Sequence, residues 1–135
     1  MSGQWRQEHG QDIVEYALTL PLFVLLILGV LEFSVVIMAY DTIANAAREG
    51  ARAGVPLPNS ECNVACRNAE AVAAAEYLTT GLNPAELTIT VTRPAGTRIR
   101  VQVSYDAVLV TAPMITAIGG SGTISLNAVT TMVLE

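Results

Sequence analysis

The chain has no lysine, one histidine, one tryptophan and two cysteines, and only 14% of its 135 residues are charged. Each scarcity closes off a class of function. His9 lies in the polar opening stretch MSGQWRQEH and reads as a solvated side chain with no catalytic role. Cys62 and Cys66, without further Cys or His ligands, cannot fill the four-coordinate shell of zinc. The seven basic residues are all arginines, they are scattered, and the net charge is -5. Phosphate binding needs clustered cations, so nucleic acid is not an expected partner. The missing lysines carry no functional weight. No Gly-rich loop precedes a helix, and the acids outside the apolar segment stand one at a time, so no enzyme, cofactor, metal or small-molecule substrate is expected.

What the chain has in abundance is apolar length. Hydrophobic residues make up 52% of it. Sixteen consecutive uncharged residues separate Glu15 from Glu32, and Phe33 to Tyr40 adds eight more. A helix of that length crosses a hydrocarbon core of about 30 Å at about 1.5 Å per residue. A buried core helix would need a large protein around it, and fewer than 100 residues follow. A signal peptide ending at Ala44-Asn45-Ala46 is the other rival, but the apolar segment far exceeds a 7 to 15-residue core of that kind. Residues 11–40 therefore read as a membrane helix in contact with lipid. Pro21 removes one backbone donor within it and predicts a kink or loosening around Ala17 to Pro21. Glu32 lies about 25 Å along the axis from Glu15, close to the hydrocarbon thickness, and reads as an interfacial carboxylate.

Glu15 is the anomaly, because a charged acid in an apolar helix costs about 2.5 to 3.5 kcal/mol on insertion scales unless it finds a partner. Gly10 stands five residues before it. Gly-x-x-x-x-Glu at the head of an apolar helix resembles the processing signal of type IV prepilins. Glycine suits a protease cleft, having no Cβ to obstruct an extended backbone. Further features narrow the resemblance: Val14-Glu15-Tyr16, the early Pro21, Glu32-Phe33, and AAREGAR ending in Gly50-Ala51-Arg52. Together these resemble the TadE family, pseudopilins of the tight-adherence (Flp) pilus system, most strongly over residues 10–54. The leader departs from that pattern, since Arg6 is its only basic side chain. The resemblance implies cleavage between Gly10 and Gln11 by a prepilin peptidase, and an assembly role for Glu15, Tyr16 and Glu32. It also implies pilins, pseudopilins and the pilus assembly machinery as partners, and the cytoplasmic (inner) membrane as the location. A permanently anchored, unprocessed extracytoplasmic domain of unrelated role is the alternative.

Beyond Tyr40 the sequence stays helical to about Gly54, where Val55-Pro56 stops it. Ala46, Gly50 and Gly54 form a line of small residues that suits either close helix packing or the chain's own sheet. Positive-inside counting gives no orientation, but a two-cysteine, loop-like segment suits an oxidising compartment and so export of residues 41–135. A Cys62–Cys66 disulfide ranks first, free thiols second and redox chemistry third. Residues 67–80 predict a short helix with Ala71, Ala74, Ala75, Leu78 and Leu82 on its buried stripe. Period-two alternation then predicts three strands, around Leu87 to Val91, Ile99 to Tyr105 and Ile124 to Leu134, the first two joined through Pro94-Ala95-Gly96. The link Thr111 to Gly122 reads as flexible, with Met114, Ile115 and Ile118 expected to cap the core, contact with a membrane or a partner being the other reading. The expected architecture is α+β and pilin-like: a leader at 1–10, a long helix from about Ile13 to Gly54, and an outer domain with a short helix and a three-stranded antiparallel sheet.

Overall fold

A computed structural model describes residues 5–55, 62–94 and 98–133. Helix α1 spans Trp5–Ala53 and continues through Pro21. It starts earlier than the sequence predicts, taking in part of the polar leader. The physical reason is that extending an existing helix adds one hydrogen bond per residue fixed, without a new nucleation cost. Residues with few side-chain preferences of their own are then recruited by the long apolar helix behind them.

The described residues fall into two compact units, divided between Ser34 and Val35. In the first, the helix from Ile13 to Leu31 exposes apolar side chains on every face, interrupted by Glu15 and Thr19 and with Leu28 half-buried. Near the boundary the exposed Ser34 hydroxyl bonds locally, its Oγ donating to the Val30 carbonyl at 2.8 Å.

The second unit holds the rest of α1, then α2 (Val64–Leu78), a 3-10 turn (Pro84–Glu86), β1 (Leu87–Thr92), β2 (Arg98–Val108), α3 (Ala112–Ala117) and β3 (Thr123–Val133). The strands form an antiparallel sheet in the order β1-β2-β3, with Ile89 opposite Val103 and Val103 opposite Ala128. Alternation does the sorting: Ile99, Val101 and Val103 are fully buried, while Arg98, Arg100 and the threonines of β1 face outward. Against that buried row lie Ile43, Ala46, Ala47 and Ala51 of α1 and Ala71 and Ala75 of α2. The α+β architecture expected from sequence, a long apolar helix followed by a short helix and a three-stranded antiparallel sheet, is the one observed.

Four details differ. Helix α2 begins at Val64 instead of residue 67, because Asn63 caps it, its side-chain oxygen accepting from the Cys66 amide at 2.9 Å. Its buried stripe holds Arg67, Ala71 and Ala75, while Leu78 is exposed. On β3, Ile124 is exposed, since the buried side of that strand is restricted to Ala128 with Leu126 and Met132 half-buried. The link read as flexible contains α3, which Pro113 opens with its preset φ. Met114 and Ile118 on it are exposed and do not cap the core. The Pro94-Ala95-Gly96 connection and Leu134 lie in part or whole outside the described residues.

Candidate functional site

Asp12, Glu15, Tyr16 and Thr19 recur at offsets of three, four and seven, so they share one face of α1. All four are exposed. Among the described residues Glu15 has no hydrogen-bond or ion-pair partner. Asp12 is a carboxylate that the reading of the sequence passed over. It stands one helical turn from Glu15, and the spacing alone was enough to find it. Two like charges on one turn destabilise a helix by a few tenths of a kcal/mol. A cation held near that face would relieve both at once.

Gly10 and Gln11 lie within α1, both exposed. A Cβ added at Gly10 would meet nothing within 4 Å. The glycine is therefore not demanded by packing among the described residues. It does weaken the helix locally, by about 1 kcal/mol relative to alanine. Glu32 is half-buried and is engaged by a partner within the chain.

The small residues near the other end of α1 behave differently. Ala46, Gly50 and Gly54 are all buried. A Cβ on Gly50 would sit 2.8 Å from the Ala71 carbonyl oxygen, 3.1 Å from the Ala75 methyl and 3.3 Å from Val101 Cγ1. At Gly54 it would run into Ile99 and come within 3.1 Å of Ala71. This line seats the chain's own α2 and sheet together, the glycines allowing the α2 backbone to approach.

Two arginines close the end of α1. The last carbonyls of a helix lack intrahelical donors. Arg93 Nη2 donates to the Gly54 carbonyl at 2.9 Å and its Nε to Asn68 Oδ1 at 2.8 Å. Arg67 Nη1 donates to the Val55 carbonyl at 3.0 Å and is 5% exposed. Cations at a helix C-terminus also complement its dipole. One turn back, Arg52 pairs with Glu49 at 2.7 Å on the exposed side. The sequence showed these arginines only as scattered, since their partners lie up to 39 residues away.

Cys62 and Cys66 form a disulfide with a Cα–Cα distance of 5.5 Å. Cys62 precedes α2 and Cys66 lies in its first turn. That offset matters, because on a regular helix the Cβ atoms of such a pair stay about 5 to 6 Å apart, beyond disulfide reach. The Glu70 carboxylate lies within 4.8 Å of both sulfurs. The sulfurs are bonded to each other and so offer no thiolate to a metal.

Among the described residues, one helix is long and apolar enough to cross a membrane, Gly10–Ala53. Glu15 stands at the head of its apolar run, and Gly50-Ala51-Arg52 follows beyond that run. Residues 10–52 match the family model of TadE-like proteins. That segment, well under half of the chain, is similar to TadE-like proteins, in keeping with the resemblance read from the sequence. The match stops at Arg52, so the disulfide, α2 and the sheet lie outside it. Neither a curated protein nor a solved structure matches the chain. The matched segment thus contains both the exposed Glu15 face and Ala46 and Gly50 of the line of small residues that packs against α2 and the sheet.

Proposed function

We propose that the chain is a single-pass membrane subunit that takes part in assembling tight-adherence, type IV-like pili. Residues 1–10 are a cytoplasmic leader removed by a prepilin peptidase, 11–40 cross the inner membrane, and 41–135 form an extracytoplasmic structural domain. The observation that carries this reading is Glu15. It is a carboxylate exposed on an apolar helix, within the TadE-like match, five residues after a glycine that packing does not require.

Cleavage requires the helix to unwind around Gly10, because a protease cleft takes extended backbone. The low helix propensity of glycine makes that unwinding easier. The new amine at Gln11 then emerges about one turn from Glu15 and beside Asp12. In lipid, apolar contacts between helices give little directional drive, since hydrocarbon is as apolar as leucine. A carboxylate meeting a neighbouring subunit's amine in a low-dielectric site is strongly directional, so docking becomes register-specific. Tyr16 and Thr19 flank that contact.

Intact mass of the membrane-extracted protein tests the processing step. Loss of residues 1–10 in cells that carry the peptidase is the expected result, and Gly10→Val blocks it. A chain that retains its leader there points instead to the unprocessed, anchored structural domain. For assembly, cleaved wild-type and Glu15→Gln proteins are compared in co-purification with pilus components. Equal recovery of the two would sink the charge-pair mechanism.

A further inference from the structure

The direction of β2 along α1 follows from two close approaches: Gly54 faces Ile99, and Gly50 faces Val101. Four helical residues advance about 6 Å and two strand residues about 6.6 Å, so the two elements stay in step. Continuing that register sets Ala46 by Val103, Ile43 by Tyr105 and Ala39 by Ala107. Both members of the last pair are buried, at 1% and 4% exposure. Strand β2 therefore runs antiparallel to α1. Its far end, and the link from Leu109 to Gly122, lie at the end of this unit that carries Val35, Ile37, Met38 and Tyr40, the last residues of the apolar run.

The link is built unlike an ordinary surface loop. No ionisable residue occurs between Asp106 and Glu135. Val108, Val110, Met114 and Ile118 are exposed, Ile118 to 87%. Its polar backbone is turned inward on itself: the Leu109 amide donates to the Gly122 carbonyl at 3.0 Å, the Ile115 amide to Thr111 at 3.1 Å, and the Gly120 amide to Ile115 at 2.8 Å. The Thr116 hydroxyl donates back to the Ala112 carbonyl at 2.9 Å. These are the ordinary bonds of a short helix, its C-terminal turn and the adjoining strand ends, and they leave those backbone groups satisfied where little water is present.

We infer that the α3 link is a second membrane contact, its apolar tip entering the outer boundary of the same bilayer that α1 crosses. The occupant of this patch is lipid. The argument is the shared end with the apolar run, the absence of charge and the exposed apolar side chains Val108, Val110, Met114 and Ile118. Interfacial elements of this kind bury their apolar face about 5 to 10 Å into the headgroup and acyl boundary. The inference rests on the membrane span of the proposed function and on neither cleavage nor pilus assembly.

The test uses the full chain with Trp5→Phe, which removes its only tryptophan, and a new tryptophan at one exposed apolar position at a time. Met114→Trp and Ile118→Trp probe the tip. Val133→Trp is the control, equally apolar and exposed but at the opposite end of the sheet, where Val133 pairs with Arg98. Each protein is reconstituted into phosphatidylcholine and phosphatidylglycerol vesicles with ordinary or brominated acyl chains, and resistance to alkaline extraction confirms insertion. Brominated lipid should lower emission from positions 114 and 118 by about two-fold or more, and leave position 133 nearly unchanged, as expected for a shallow interfacial depth. Quenching at the tip no greater than at 133 overturns the inference. So does a tip emission that shifts blue only as the protein-to-lipid ratio rises, without bromine quenching, since that assigns the patch to a second copy of the chain. Extraction of the protein from the vesicles would overturn the membrane span itself, a failure distinct from either.

Discussion

One helix has two halves, and they are built from different kinds of apolar residue. From Ile13 to Leu31 it carries large side chains, Leu, Ile, Val and Phe, exposed all round. From Ala39 to Gly54 the buried face is Ala, Ile43 and Gly, pressed against α2 and β2. Hydropathy alone would rank the first half as the better core. Size is what separates them: a domain this small gains by letting backbones approach closely, whereas a lipid-facing helix gains only by covering its own backbone with hydrocarbon.

The strongest way to break that contrast is to put lipid-type bulk into the packed half. Gly50→Val adds a branched side chain against the Ala71 carbonyl, where the neighbour is backbone and cannot swing aside. The expected loss is about 3 kcal/mol, at the upper end for overpacking. Denaturation of the detergent-solubilised protein, followed by far-UV circular dichroism, reads it as a collapse of the outer unit while the span remains helical. A smaller loss follows from opening the end of α1. Arg67→Ala strips a charged donor from the Val55 carbonyl and leaves a space where a buried side chain lay, for about 2 to 3 kcal/mol in the same measurement. Reducing the Cys62–Cys66 bridge, or Cys62→Ser with Cys66→Ser, ranks next at about 2 kcal/mol, because the ring it closes is only five residues long. The melting temperature with and without reductant checks it.

The parts of this structure that local spacing determines were legible in the sequence. The long apolar helix follows from charge-free length, the strands from strict alternation, and the disulfide from two cysteines close together in a loop-like segment. The small-residue line Ala46, Gly50, Gly54 was visible as a pattern, but its partner was not, because a glycine records that something comes close without recording what. The arginine closure was invisible for the opposite reason. Arg67 and Arg93 look like any surface cations until the fold brings Val55, Gly54 and Asn68 to them. Likewise α3 was hidden by a sequence rich in Thr, Gly and Ser, whose local hydrogen bonds decide its shape only once β2 and β3 pin its ends. In the exposed half the site residues Gly10, Gln11, Glu15 and Tyr16 came from motif spacing, and the neighbouring Asp12 was overlooked by attending to one carboxylate at a time.

The mildest substitution sharpens the comparison furthest, because the same chemical change has opposite signs at two glycines of one helix. Gly50→Ala brings a methyl within 2.8 Å of a carbonyl oxygen and must push α2 away, whereas at Gly29 a Cβ meets nothing within 4 Å. Alanine exceeds glycine in helix propensity by about 1 kcal/mol, so Gly29→Ala firms the helix without touching the outer unit. Its unfolding temperature should stay where it is, while Gly50→Ala lowers it by several degrees, given that about 1 kcal/mol shifts a domain of this size by roughly 4 to 8 °C. Differential scanning calorimetry on the two variants distinguishes them. A drop with Gly29→Ala would show that the first half of α1 bears on the second unit's stability, and the division of the helix into an exposed and a packed half would have to be redrawn.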